Sequence, residues 1–230
     1  YKRQQPDHQP ALLARLPEAM FMSADSVALG EAISAADFVV IGPGLGRGEW
    51  GNNLFAQTAT RTAPMLVDAD GLYWLKNSDH QPAARSLFIT PHAGEAASLL
   101  STSTALIEAD RIQAAKSLVT TYKCHALLKG PGSVVIAGTN VHICAHGGPA
   151  MATAGMGDVL SGICAGLLAP LSATGRLEQV AGAFAQAVAL HSASADLAAE
   201  EGSPRSVIAT DVIEHIPRLL AGEETFVTNC

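Results

Sequence analysis

The stretch Gly155-Met156-Gly157-Asp158 carries the residue types best suited to chemistry in this chain. Two glycines flank a methionine, an aspartate follows, and a small, apolar run continues to Pro170. The pattern predicts a loop feeding the N-terminus of a buried helix. Glycine there accepts positive φ and lets a ligand approach the backbone. The first N–H groups of such a helix lack intrahelical partners, and with the helix dipole they form an anion site. Asp158 would stand in the first turn, placed to act as a base beside a bound phosphate. Aspartate is equally favoured at helix starts as a cap, so both roles stay open for it at this point.

Four more motifs follow apolar runs. Gly42-Pro43-Gly44-Leu45-Gly46 comes after the run that ends at Ile41. It is a ligand-permissive turn, but its spacing is not GxGxxG, so a dinucleotide-binding fold does not follow. Asp68-Ala69-Asp70-Gly71 ends the next run. Its carboxylates could hold Mg²⁺ through water, serve acid–base chemistry or cap a short helix, and a structural or supporting role is favoured. Thr90-Pro91-His92-Ala93-Gly94-Glu95 follows a third run, and Lys129-Gly130-Pro131-Gly132-Ser133 a fourth. A lysine among glycines suggests nucleotide phosphate binding, although the spacing is not that of a Walker motif.

Such motifs need strands to carry them. Apolar runs at 37–41, 64–68, 87–89 and 126–128 read as strands buried on both faces. Helices are expected over 49–61, 72–76, 103–122, 177–200 and about 210–220, with Ser23 or Asp25 capping another that ends at Ser34. Residues 133–137 and 140–145, joined through Gly138-Thr139, read as an antiparallel hairpin. No repeat or long linker divides residues 1–230, so one α/β domain with a mostly parallel sheet is expected. Ligand loops would then gather at the C-terminal ends of the strands.

Composition agrees. Hydrophobic residues make up 48% of the chain and charged residues 15%, which suits a two-sided core. A net charge of −7 gives no basic face for nucleic acid or an anionic membrane. Cys124, Cys144, Cys164 and Cys230 form no CxxC pair. The first three are expected to be buried thiols, in keeping with a reduced, cytoplasmic protein. No apolar run approaches the ~18–20 residues of a membrane span, and no signal peptide is visible.

Taken together and in order, Val40-Ile41-Gly42-Pro43-Gly44-Leu45-Gly46, Val67-Asp68-Ala69-Asp70, Ile89-Thr90-Pro91-His92-Ala93-Gly94-Glu95-Ala96, Leu128-Lys129-Gly130-Pro131-Gly132-Ser133 and Ala154-Gly155-Met156-Gly157-Asp158-Val159-Leu160-Ser161-Gly162 resemble the ADP-dependent (S)-NAD(P)H-hydrate dehydratases. The resemblance covers about residues 10–220. It implies a ribokinase-like three-layer αβα fold, with a mostly parallel central sheet and a small antiparallel hairpin near its edge. It also implies a repair reaction on NADHX or NADPHX: the hydrate hydroxyl is phosphorylated from ADP (or ATP) with Mg²⁺, and loss of phosphate restores NADH or NADPH. By resemblance Asp158 matches the base. Gly46 and His92, with Asp158, match substrate contacts. Lys129, Gly130, Pro131, Gly132, Ser133 and Gly157 match the nucleotide site, and no protein residue is assigned to a metal. The family further suggests a homotetramer and a companion NAD(P)H-hydrate epimerase, often fused upstream. The family's opening βαβ segment would fall before residue 1. Two other expectations are a ribokinase-like kinase of a vitamin-precursor alcohol and an inactive, truncated domain.

Overall fold

The computed structural model describes residues 9–20, 22, 28–84, 86–176 and 179–222. Six strands lie in one sheet in the order β1-β2-β3-β4-β5-β6. They are β1 (Val39–Ile41), β2 (Met65–Val67), β3 (Leu87–Ile89), β4 (His125–Leu128), β5 (Val134–Ala137) and β6 (Asn140–Ile143). The first four pair in parallel, and β4, β5 and β6 pair antiparallel. This is the expected sheet with its hairpin, the turn being made by Gly138 at φ +62°.

The helices are α1 (Gln9–Arg15), α2 (Ala28–Ala35), α3 (Glu49–Ala59), α4 (Asp70–Asn77) and α5 (Ala93–Leu99), then α6 (Thr104–Ala109), α7 (Arg111–Tyr122), α8 (Met156–Ala173), α9 (Val180–Glu201) and α10 (Ala209–Ala221). Parallel strands need crossovers, and α3, α4 and the α5–α7 group supply them. Alternation along the buried strands separates two cores. On one face Val67, Ile89 and Leu128 pack with Phe55, Leu75 and Leu118. On the other, Leu66, Phe88 and Leu127 pack with Leu160, Cys164 and Phe184. The result is three layers, with α8 and α9 packed on the second face.

Three expectations change. The single helix over 103–122 is two helices. Asp110 leaves helical geometry (φ −147°, ψ 86°) and its carboxylate caps α7, accepting from the Gln113 N–H at 2.9 Å. Capping repays the lost backbone bonds while the apolar periodicity continues across the break. Second, the chain does contain a helix long and apolar enough to cross a membrane by length and composition, the 18-residue α8 with mean hydropathy 1.4. Its Leu160, Cys164 and Leu168 are buried in the core. Its many small residues and single charge raise its hydropathy. Third, α1 adds a helix ahead of those expected. The predicted caps Ser23 and Asp25, residues 177–178 and Cys230 lie outside the described residues.

Candidate functional site

The N-terminus of α8 has no side-chain cap. Gly155 at the N-cap has φ +86°, and a Cβ there would meet the Ala209 methyl at 3.2 Å. The first backbone bond of the helix runs from the Val159 N–H to the Gly155 carbonyl. The N–H groups of Met156, Gly157 and Asp158 therefore point out of the helix end. Asp158 is exposed, and among the described residues its carboxylate accepts no hydrogen bond. It does not act as the cap, which removes the bland alternative for this residue.

Beside this end lies a buried ion pair. Asp68, at the end of β2, is 1% exposed. One oxygen accepts from Lys129 Nζ at 2.8 Å and the other from the Ser161 hydroxyl at 2.9 Å. Lys129 follows β4, and Ser161 lies in the second turn of α8. A Cβ at Gly157 would stand 3.6 Å from both Lys129 Nζ and Asp68 Oδ2. The ammonium is thus held against the open end of α8, with Glu95 3.8 Å away on its other side.

Asp70, two residues on, has a different task. Its oxygens accept from the Gly46 N–H at 3.1 Å and from Arg47 Nε at 2.9 Å. The Gly46 carbonyl in turn accepts from the Trp74 indole at 2.9 Å. Asp70 and Trp74 therefore shape the loop after β1. Gly42 in that loop has φ +132°, and a Cβ would sit 1.6 Å from the Asp68 carbonyl oxygen, so only glycine fits. Each of the four carboxylate oxygens accepts one hydrogen bond, so both aspartates hold neighbouring groups in place. Among the described residues no three His, Cys, Asp or Glu side chains gather as a metal site.

His92 is the N-cap of α5. Its Nδ1 accepts from the Gly94 and Glu95 N–H groups, and Glu95 accepts from the His92 N–H at 2.8 Å, a reciprocal capping box. The other ring nitrogen, Nε2, lies 3.5 Å from Glu95 Oε1, on a side chain that is 61% exposed. The 129–133 turn has Gly130 at φ +148° and Gly132 at φ +63°, and Ser133 donates to the Gly130 carbonyl. Arg111 of α7 braces this turn: it donates to the Leu128 carbonyl at 3.0 Å, and its guanidinium lies where a Gly130 side chain would stand.

Sequence reasoning missed Ser161, Arg111 and Asp196. Ser161 could have been found, since it lies four residues after Gly157 and so on the same helix face. Arg111 and Asp196 carry no local signal. Asp196 of α9 accepts from the Gly147 N–H at 3.0 Å and tethers the loop that leads into α8.

Two cavities open by the α8 N-terminus. One, of about 590 Å³, runs along β1 and is lined by Ile41, Gly42, Leu45, Asp158, Ser161 and Gly162 among others. Asp158 faces this space. The other, of about 740 Å³, lies between the Pro149–Met151 turn and residues 204–208, reaching Thr153 and Ile208. Because Ile208 precedes Ala209, which touches Gly155, this second space borders the opposite side of the same helix end.

Other titratable groups in the core are inert. Burial pushes the Cys164 thiol up, with Asp68 adding to the effect, and pushes Cys124 up to about 12. Neither offers a thiolate at neutral pH. His191 on α9 is 4% exposed, and its Nε2 has no partner among the described residues. Burial lowers it to about 4, only partly opposed by a hydrogen bond with the Met156 backbone.

Known proteins resemble this chain in sequence and in fold. The model of the family described as NAD(P)H-hydrate dehydratase matches residues 4–218. The bifunctional NAD(P)H-hydrate repair enzyme Nnr of Escherichia coli is 43% identical over 218 residues, which are 94% of this chain and 40% of that protein. The chain thus spans about two fifths of the length of the curated relatives it matches. A Bacillus subtilis ADP/ATP-dependent NAD(P)H-hydrate dehydratase, co-crystallized with ATP/Mg2+ and soaked with CoA, superposes with a TM-score of 0.78 at 24% identity, covering 95% of this chain and 78% of that one. A ribokinase-like superfamily protein from Enterococcus faecalis gives a TM-score of 0.83 at 23% identity, covering 96% of this chain and 75% of that one. At these identities the two structures speak for the fold, which is ribokinase-like.

Proposed function

The chain belongs to the NAD(P)H-hydrate dehydratase family, and from that premise we propose that it repairs hydrated NADH or NADPH by nucleotide-dependent dehydration. The observation that carries this reading is Asp158: an exposed, uncapped carboxylate at an open helix N-terminus, facing a cavity of about 590 Å³. The hydrate enters along β1, past Gly42 and Gly46, with His92 Nε2 at the same rim. Asp158 takes the proton from its hydroxyl as that oxygen attacks the terminal phosphorus of ADP or ATP, breaking the bond to the bridging oxygen and releasing AMP or ADP. Phosphate then leaves with the C–O bond electrons and a ring proton is lost, which restores the double bond.

The rest of the site handles charge. N–H groups of Met156 and Gly157 and the Lys129 ammonium face the transferring phosphoryl group, where fixed donors lower the barrier without reorganising. The 129–133 turn holds the remaining phosphates, and the cavity of about 740 Å³ beyond Gly155 takes the nucleoside. Mg²⁺ brought in with the nucleotide would neutralise the charge of its phosphates. As the matched relatives are bifunctional, an epimerase that interconverts the two hydrate epimers is the companion activity.

The test offers hydrated NADH with ADP and Mg²⁺, with ATP and Mg²⁺, or with neither, and follows recovery of NADH absorbance. Recovery with one of the nucleotides and not without supports the reading. No recovery with either sinks it, and a phosphorylated small alcohol as the only product would favour the kinase alternative.

A further inference from the structure

The geometry points to Asp68 as the positioning residue of the phosphate site, acting through Lys129 and Ser161. The inference rests on the functional reading above and assigns a role to a carboxylate that touches neither substrate nor nucleotide. Asp68 is 1% exposed, so its charge is costly unless fully partnered. Both partners belong to the site. Lys129 at 2.8 Å brings in the end of β4, and Ser161 at 2.9 Å brings in the second turn of α8. These partners stand 61 and 93 residues away along the chain. One carboxylate therefore fixes three elements around Gly157, whose absent side chain leaves 3.6 Å to both Lys129 Nζ and Asp68 Oδ2.

A free lysine side chain samples many rotamers, and ordering it costs conformational entropy. Here Asp68 has already ordered it before any phosphate arrives. Removing the charge leaves Lys129 one anionic neighbour, Glu95 at 3.8 Å. Glu95 belongs to α5, so the ammonium is drawn away from α8. Misplacement of this kind, on the order of 1 Å, costs up to about a hundredfold in rate.

The full chain is assayed as wild type, Asp68→Asn, Lys129→Met, the double variant and Ser161→Ala, with circular dichroism confirming the fold of each. Asp68→Asn is expected to lower kcat about tenfold to a hundredfold, with KM for hydrated NADH little changed. The double variant should be no slower than Lys129→Met alone, because Asp68 acts through the lysine. Ser161→Ala, which keeps the ion pair, should cost about threefold and serves if Asp68→Asn does not fold. An Asp68→Asn rate within about twofold of wild type, or a double variant slowed by the product of the two single effects, overturns the assignment. Failure of the functional reading is separate: wild type itself would restore no NADH. Calorimetric titration with ADP then decides, since weaker binding in Asp68→Asn that is non-additive with Lys129→Met sustains the role, and unchanged binding removes it.

Discussion

The end of β2 and the start of α8 each present aspartates to the same rim, and their surroundings differ completely. Asp68 and Asp70 have all four oxygens occupied, by Lys129, Ser161, Gly46 and Arg47. Asp158 has none occupied among the described residues. A carboxylate that accepts a hydrogen bond at each oxygen holds other groups in place. One that is exposed and unfilled beside an anion site can accept a proton and costs little to keep charged. The difference separates structure from chemistry without any appeal to sequence motifs, and it can be broken at several points.

The largest effect is expected at Asp158. Asp158→Asn keeps size and polarity and removes only the base, so kcat should fall roughly 10²–10⁴-fold while ADP affinity changes little. Single-turnover kinetics with calorimetry measures both. A rate near that of wild type would mean that the unfilled carboxylate is idle. The next effect is structural. Gly42→Ala would force a methyl to 1.6 Å from the Asp68 carbonyl oxygen at φ +132°. The ends of β1 and β2 must then separate, with a loss of stability on the order of 3 kcal/mol in chemical denaturation.

The strands, the hairpin and the rim loops were legible in the sequence because double-sided burial and glycine punctuation are local signals. Residues 87–89 were bounded correctly for that reason. The break at Asp110 was not, since Ile107, Ala114 and Leu118 keep a helical apolar pattern across it. The rim motifs named Asp158 and Lys129 but could not tell Asp68 from Asp70. Their distinguishing partners lie between 23 and 93 residues away, and only the register of β1, β2 and β4 brings them together. His92 matched a substrate contact by resemblance alone, and its Nδ1 serves α5 as a cap.

Having no partner is not enough to make a group chemical, and His191 shows why. Its Nε2 is unpartnered among the described residues, but the residue is buried and its folded pKa is about 4 against an ordinary 6.5. The folded state therefore resists the proton that the unfolded chain accepts. Stability from this group is complete above pH 6.5 and is lost progressively as pH falls toward 4. At pH 5.5 the loss should be about 1 kcal/mol. Denaturation of wild type and His191→Gln across this window tests it, and the variant should show a flatter acid limb. Half-buried His215 has the opposite sign. The Asp211 backbone, and then Glu201, raise its pKa, so its small contribution is present below pH 6.5 and fades as pH rises through the raised value.

The smallest effect is expected at Asp70, and it divides the two filled carboxylates from each other. Asp70 is 30% exposed on its side chain and pairs with an Arg47 that is 63% exposed. Such pairs contribute about 0–1 kcal/mol, because water competes for both partners. Asp70→Asn retains an acceptor for the Gly46 N–H, so the loop after β1 loosens without collapsing. KM for the hydrate should rise about fivefold at most, with kcat unchanged. Raised salt should shrink the difference between wild type and variant, since a surface pair is screened. Asp68, buried and tied to the phosphate lysine, should respond in kcat and be indifferent to salt. If both asparagine variants instead changed the same kinetic parameter with the same salt dependence, burial would not be what separates the two aspartates.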